Sequence, residues 1–371
     1  MSSRPDARAS RPESPDAMTV PLIETAEALG EVLPAFAPQP RIAIDTEADS
    51  LHCYFEKLCL VQVSLPEQDL LIDPLAGYSL EPFFTAVDGK ELVFHGADYD
   101  LRLLRRVGFH EPHRLFDTMI AARLCGVTEF SLAALISRNF GIELTKASQK
   151  ANWAMRPLPP QMLEYAVNDT RFLLRLADIF TADLNRLGRW SWFEQSCERA
   201  ISAASVVKER DPEQLWRISG SSDLRGRATA VLRALWQWRD AEAQKVDRPS
   251  FHILHNEQLV NAASKFDRGE QVEIRSLRGS RRQRFYEAAE AGLALPEEEW
   301  PKIPKGQRRL RPTPAQETAF RDLRNRRDKV AGELQLDPAL IAPKTVLENL
   351  AAQPEENVGK LMPWQRELLG L

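Results

Sequence analysis

Arg41-Ile42-Ala43-Ile44-Asp45-Thr46-Glu47 is the stretch on which the reading of this chain turns. Its apolar residues are consecutive, so both faces of the segment are apolar, as in a strand covered on both sides. The run ends in Asp-Thr-Glu. Side chains alternate along a strand, so Asp45 and Glu47 project from one face and Thr46 from the other. Two carboxylates on one face, where a central strand emerges, can share a cation. Asp-x-Glu at a strand end is commonly just solvated surface, so the pattern gains meaning only from partners elsewhere.

Outward from this strand the β signal continues. Residues 58–65 (LCLVQVSL), 69–73 (DLLID) and 91–95 (ELVFH) read as three further strands, and the short turn 66–68 makes the first two a hairpin. Gly96 allows a turn into a helix over 97–107. Further helices are expected over 116–125, 131–139 and 160–187, with Ser131 as an N-cap and Pro160 at a helix start. The expected first domain, residues 20–208, is therefore α/β with a mixed central sheet. After Asp211 the strand signal stops. Four or five short helices are expected over 223–293, with Asp223 capping a segment 224–240 in which Leu224, Ala228, Val231, Leu232, Leu235 and Trp238 recur at helical spacing. The expected organisation is a disordered tail over 1–19, the α/β domain, one helical domain over 211–295, a Pro/Lys/Arg-rich linker over 296–314 and a second helical domain over 315–371.

The chain has 371 residues, 43% hydrophobic and 27% charged, enough for two or three soluble domains. It contains no apolar run of about 18 residues, so no membrane span is expected. The N-terminal segment lacks the apolar core of a secretory signal. The four cysteines, Cys53, Cys59, Cys125 and Cys197, form no C-x-x-C pair, and reduced thiols in the cytoplasm are the expectation. The net charge of −4 divides unevenly: residues 1–210 hold 22 basic and 29 acidic side chains, residues 211–371 hold 27 and 24. An acidic half needs cations before it can approach a polyanion; a basic half supplies phosphate contacts.

Two more segments offer carboxylates. On the helix after Gly96, Asp100 shares a flank with Ala97, Leu103, Leu104 and Val107, whereas Asp98 lies beside Leu101, Arg102 and Arg105. A carboxylate at a core boundary is costly unless paired with a cation, which favours Asp100 over Asp98. Tyr165 and Asp169 stand four apart on the helix expected over 160–187 and share its face. Asp45, Glu47, Asp100 and Asp169 thus form an oxygen-only set from separate elements, with a phenol beside it. Such a set suits Mg²⁺ or Mn²⁺, and a pair of such ions supports phosphodiester cleavage.

These three segments resemble the three sequence blocks of the DEDD exonuclease superfamily in its tyrosine subclass. Val93-Phe94-His95-Gly96-Ala97-Asp98-Tyr99-Asp100-Leu101, and the run from Ser131-Leu132-Ala133 through Lys146, Gln149, Trp153 and Arg156-Pro157-Leu158 to Tyr165-Ala166-Val167-Asn168-Asp169, resemble the ribonuclease D family more closely. The segment from Leu224-Arg225-Gly226-Arg227 through Trp236-Gln237-Trp238-Arg239-Asp240 to Arg248-Pro249 resembles the HRDC domain. The resemblance implies a ribonuclease H-like fold followed by two HRDC-type domains. It implies a 3′→5′ exoribonuclease that releases nucleoside 5′-monophosphates, acts on tRNA precursors or other structured RNA with 3′ tails, and works as a cytoplasmic monomer. Asp45 would bridge two divalent ions, Glu47 and Asp169 would complete the ion that binds the attacking water, Asp100 would hold the second, and Tyr165 would orient the nucleophile.

Lys146, Gln149, Trp153 and Arg156 are candidates for the RNA path, with Trp153 stacking on a base. Arg278, Arg281, Arg282 and Arg284 form a candidate phosphate-binding face, as do Lys302, Lys305, Arg308, Arg309 and Arg311. His95 is read as structural. Two alternatives stay open at this point: a DNA exonuclease with the same site chemistry, and a non-catalytic RNA-binding adaptor built from the helical domains.

Overall fold

The computed structural model describes residues 20–145, 148–206, 211–301 and 311–371. The tail over 1–19, Lys146, and Lys302, Lys305, Arg308 and Arg309 of the expected linker lie outside them. Six strands, β1 (Leu22–Ile23), β2 (Arg41–Ala48), β3 (Leu58–Ser64), β4 (Asp69–Ile72), β5 (Glu91–Phe94) and β6 (Arg114–Asp117), form one sheet in the order β1-β4-β3-β2-β5-β6. The β2–β3 and β3–β4 pairs are antiparallel; β1–β4, β2–β5 and β5–β6 are parallel. The sheet is therefore mixed, and β2 runs through its middle with Asp45 and Glu47 near its C-terminal end. Every residue of β3 is buried, as an apolar strand with neighbours on both edges requires.

Helices α1 (Ala26–Val32), α2 (Glu81–Val87), α3 (Asp98–Arg106), α4 (Thr118–Leu124), α5 (Leu132–Phe140), α6 (Pro160–Arg171), α7 (Leu173–Arg186) and α8 (Trp190–Ser205) complete the first domain. Two expectations change here. Residues 116 and 117 belong to a strand, because Val93 and Phe94 of β5 offer them a parallel ladder that local helix propensity cannot outweigh. The single helix expected over 160–187 is two, α6 and α7, divided at Phe172, a break that no Pro or Gly announces. The short strands β1 and β6 and the helices α1 and α2 carry too little periodicity to have been anticipated.

One junction sets the position of α3. Asp117 ends β6 and caps α4 by accepting from Met119 N and Ile120 N. The same carboxylate accepts from Gly96 N at 3.1 Å and Ala97 N at 2.9 Å, which fixes the turn from β5 into α3. Gly96 takes φ +82°, and a Cβ there would lie 2.6 Å from Met119 Cε, so the turn needs glycine.

The helices α9 (Arg227–Lys245), α10 (Ser250–Ile253), α11 (Asn256–Asp267) and α12 (Gly279–Ala294) enclose a separate core built on Leu232, Leu235, Trp238, Leu259 and Phe285. The first helix starts at Arg227 rather than Leu224, and Asp223 lies in a preceding 3₁₀ turn instead of capping it. The loop after β2 meets this unit. Asp247 Oδ1 accepts from Tyr54 N and Phe55 N at 3.0 and 3.1 Å, and Tyr54 Oη donates to Asp240 at 2.8 Å.

The last helices, α13 (Pro314–Leu334), α14 (Pro338–Ile341), α15 (Lys344–Ala352), α16 (Pro354–Val358) and α17 (Pro363–Leu369), share a continuous apolar core with the α/β domain. Trp364 stacks on Trp192 of α8 with ring centroids 5.1 Å apart, and its backbone N–H donates to Gln195 at 3.3 Å. Arg189 ties the two regions by donating 2.7 Å hydrogen bonds to Leu124 O and to Leu334 O. The C-terminal helices are thus part of the scaffold of the first domain.

Trp364→Ala should therefore destabilise both regions together, by about 3–5 kcal/mol as for a fully buried aromatic. Urea unfolding followed by circular dichroism should show one earlier transition; a loss below about 1 kcal/mol would mean that the stack contributes no more than an ordinary surface contact.

Candidate active site

The end of β2, the start of α3 and the middle of α6 bring the acidic residues together. Ligand oxygens of Asp45, Glu47 and Asp169 all lie within 4.8 Å of one another. Helix α6 lies over β2, β3 and β4, which brings Tyr165 and Asp169 onto the face from which Asp45 and Glu47 project. Asp100 is 5% exposed and accepts from Thr46 Oγ1 at 2.5 Å. The middle residue of Asp-Thr-Glu, which points the other way along the strand, thus fastens the fourth carboxylate. Asp98 is exposed and paired with Arg102, so the helix separates the two rivals as its apolar flank required.

Among the described residues, the electrostatics are those of acids crowded without a counter-charge. Burial, then Asp100, Asp169 and Glu47 in turn, push the Asp45 carboxyl well above its ordinary range. Burial, with Asp169 and Asp100, raises Glu47 to about 9. Asp100 rises to about 7, mainly through burial, against the lowering effect of the Thr46 hydroxyl. Asp169 also rises to about 7 through burial, opposed by a hydrogen bond from Tyr165. Burial and the charges of Asp169, Glu47 and Asp45 push the Tyr165 phenol further above its ordinary value, so it stays protonated at neutral pH and serves as a donor. Like charges this close are destabilising unless protons or cations are bound. The donor set is oxygen-only and anionic, and it fits a hard divalent ion.

Several side chains brace the site, among them two that the sequence offers as RNA contacts. Trp153 is 1% exposed, with its ring centroid 6.0 Å from that of Tyr165. It backs the phenol and has no face free for a base, which corrects the stacking role expected for it. Arg156 is committed to Asp73 and to the carbonyls of Cys59, Trp153 and Met155, so it closes the loop before α6 rather than offering a free guanidinium. Ser64 links Asp69 and Thr170 at 2.7 and 2.8 Å, and Arg171 pairs with Asp69, which together pin α6 to the sheet. Gln149, Arg278 and Arg282 are exposed. Arg281 and Arg284 both engage Glu242, at 3.0 and 2.6 Å, so of the expected arginine face these two are spent on an internal ion pair. His95 bonds Thr118 Oγ1 at 2.9 Å and is pushed below its ordinary pKa by burial, in keeping with a structural role.

Comparison with known proteins agrees with this architecture. Residues 20–185 match a family model described as 3′-5′ exonuclease, and residues 228–284 match the HRDC domain model. A protein named ribonuclease D from Gluconacetobacter diazotrophicus is 31% identical over 375 residues, covering 98% of this chain and 93% of that protein. Among solved structures, a protein from Bifidobacterium adolescentis superposes with a TM-score of 0.79 at 25% identity, covering 94% of this chain and 95% of that one. Escherichia coli RNase D superposes with a TM-score of 0.67 at 24% identity, covering 95% and 99% of the two chains, and shares the fold.

The crowding makes a testable demand on stability. The carboxyls titrate higher in the folded chain than in the unfolded one, so their contribution is fully present below about pH 4 and is lost as pH rises through about 7 to 9. In metal-free buffer the melting temperature should fall between pH 5 and pH 9. Asp45→Asn should flatten that fall and raise the melting temperature at pH 8 by about 2–4 °C per kcal/mol of repulsion relieved. Added Mn²⁺ should stabilise the wild type more at pH 8 than at pH 6, because protons compete with the metal. A melting temperature independent of both pH and Asp45→Asn would contradict this electrostatic picture.

Proposed function

The chain belongs to the ribonuclease D family of 3′→5′ exoribonucleases, and from that premise we propose that it trims RNA 3′ ends with two divalent ions, Mg²⁺ or Mn²⁺, releasing nucleoside 5′-monophosphates. The observation that carries the reading is the convergence of the Asp45, Glu47 and Asp169 carboxylates beside Asp100 and Tyr165. Asp45, Glu47, Asp169 and Asp100 would hold the ions, Asp45 as the shared ligand, Glu47 and Asp169 toward the attacking water and Asp100 toward the leaving group. Bound divalent ions would supply a water activated at neutral pH and neutralise charge on the departing oxygen.

The chain's own groups do the positioning. Tyr165, backed by Trp153, would orient the water by turning to it the single hydroxyl proton that it gives Asp169 in the ion-free site. Its raised pKa supports an orienting donor rather than a base. Thr46 holds Asp100 in one rotamer. Water adds to phosphorus, and the bond to the 3′ oxygen of the preceding nucleotide breaks. A non-catalytic adaptor would have no reason to keep four repelling acids in contact.

The substrate is RNA with a 3′ tail, of the tRNA-precursor kind, and the protein works as a cytoplasmic monomer. The helices over 211–295 act as one HRDC domain, and those over 315–371 form a second, HRDC-like set that packs onto the core of the exonuclease domain. The basic excess of residues 211–371 supports phosphate contacts there, with Arg278 and Arg282 exposed on and beside α12. Matched 3′-tailed RNA and DNA oligonucleotides, digested with Mg²⁺ or Mn²⁺, test the substrate class. Stepwise release of 5′-monophosphates from RNA is the expected result, and preferential digestion of DNA would overturn it.

Asp100→Asn should lower turnover by at least about 100-fold, as loss of several kcal/mol of metal stabilisation implies, while Asp98→Asn stays near wild type. Tyr165→Phe should slow single-turnover cleavage yet leave measurable activity, since it removes an orienting hydroxyl and no metal ligand. Equal effects at 98 and 100, or an unchanged rate for Tyr165→Phe, would sink these assignments.

A further inference from the structure

Gln62 is 0% exposed, and among the described residues neither its amide nitrogen nor its amide oxygen has a hydrogen-bond partner. An orphaned primary amide in the interior forfeits its hydration without return, so its presence in the middle of a sheet requires a reason. Its place in the sheet supplies one. In the antiparallel β2–β3 pair, Gln62 stands directly opposite Asp45. Opposed residues project to the same face with Cβ atoms about 4.5–5.5 Å apart. That face is the one covered by α6: Ser64, two residues on, bonds Thr170, and Leu60, two residues back, packs with Met162, Ala166 and Val167. The amide therefore lies beneath α6, beside Asp45, on the side where the carboxylates gather.

The four carboxylates differ in how they are held. Asp100 has the Thr46 hydroxyl and Asp169 has the Tyr165 hydroxyl. Asp45, the residue at the centre of the cluster, receives a backbone bond at Thr46 but, among the described residues, no side-chain donor. A ligating carboxylate generally needs such a donor to fix which oxygens face the metal.

We propose that Gln62 is the positioning residue for Asp45, its Nε2 donating to the Asp45 carboxylate when the site holds divalent ions. The inference rests on the reading of Asp45 as a metal ligand. Gln62 touches neither substrate nor metal. It fixes the rotamer of the bridging ligand, and the amide remains partly unsatisfied until that ligand is drawn into place.

The test uses the full chain with Gln62→Met, similar in length and apolar, Gln62→Glu, isosteric but without the amide donor, and Asp45→Asn as a control. Mn²⁺ affinity is measured by calorimetry, metal-free melting temperature by circular dichroism, and kcat and KM on a 3′-tailed RNA at saturating Mn²⁺. Gln62→Met should melt no lower than wild type, because a buried amide with neither of its polar atoms bonded among the described residues has been replaced by an apolar side chain of similar length. It should nevertheless bind Mn²⁺ about 10–100-fold more weakly and lose kcat with KM unchanged, as outer-shell changes do. Gln62→Glu should also lose Mn²⁺-supported turnover. A Gln62→Met affinity within about two-fold of wild type, or an affinity that falls only in step with the melting temperature, overturns the proposal by making Gln62 a packing residue. If Asp45→Asn leaves Mn²⁺ affinity intact, the reading of the site itself fails. If Asp45→Asn loses it and Gln62→Met does not, only the role of Gln62 fails.

Discussion

Four half-buried and buried carboxylates repel one another at the end of β2, and the fold is built around holding them there. Asp45, Glu47, Asp100 and Asp169 each raise the energy of the others, and burial removes the water that would screen them. A chain selected only for stability would not assemble them. The fold must hold acids together against their own field while leaving that field available to cations, and much of its local structure has that effect.

Each acid is placed by an element whose position is fixed elsewhere. Asp117, with four backbone N–H donors, fastens the turn that starts α3 and so sets the depth of Asp100. Ser64, Asp69, Thr170 and Arg171 pin α6 across the sheet, which sets Tyr165 and Asp169. Behind these, α8 and the C-terminal helices share one core, so a helical unit distant in sequence becomes part of the scaffold under the site. The helices over 211–301 keep their own core and meet the loop after β2 through Asp247 and Tyr54, close in sequence to Asp45 and Glu47.

The parts legible in the sequence were those governed by short-range periodicity. The apolar run before Asp45 announced a central strand, and the alternation of Asp-Thr-Glu announced two carboxylates on one face. Helical spacing chose Asp100 over Asp98 and joined Tyr165 to Asp169. What was not legible depends on partners far away in the chain. Trp153 looks like a stacking platform until α6 is laid over it, and Arg281 looks like a phosphate contact until Glu242 arrives from α9. Residues 116–117 read as helix because nothing local reveals that β5 will offer them a ladder. Gln62 is silent for the same reason: a glutamine in an apolar strand becomes notable only when its neighbour across the ladder is Asp45.

Whether this acid cluster is a hydrolytic metal centre or a structural accident is decided by the Asp45 carboxylate. RNA 3′-end hydrolysis and RNA affinity are measured in parallel, with Mg²⁺, for wild type and Asp45→Asn. Asp45→Asn should lose hydrolysis at least about a thousand-fold, the effect of several kcal/mol of lost transition-state stabilisation, with RNA affinity largely retained. Hydrolysis by Asp45→Asn at more than about a tenth of the wild-type rate would show that the carboxylate proposed as the shared metal ligand is dispensable.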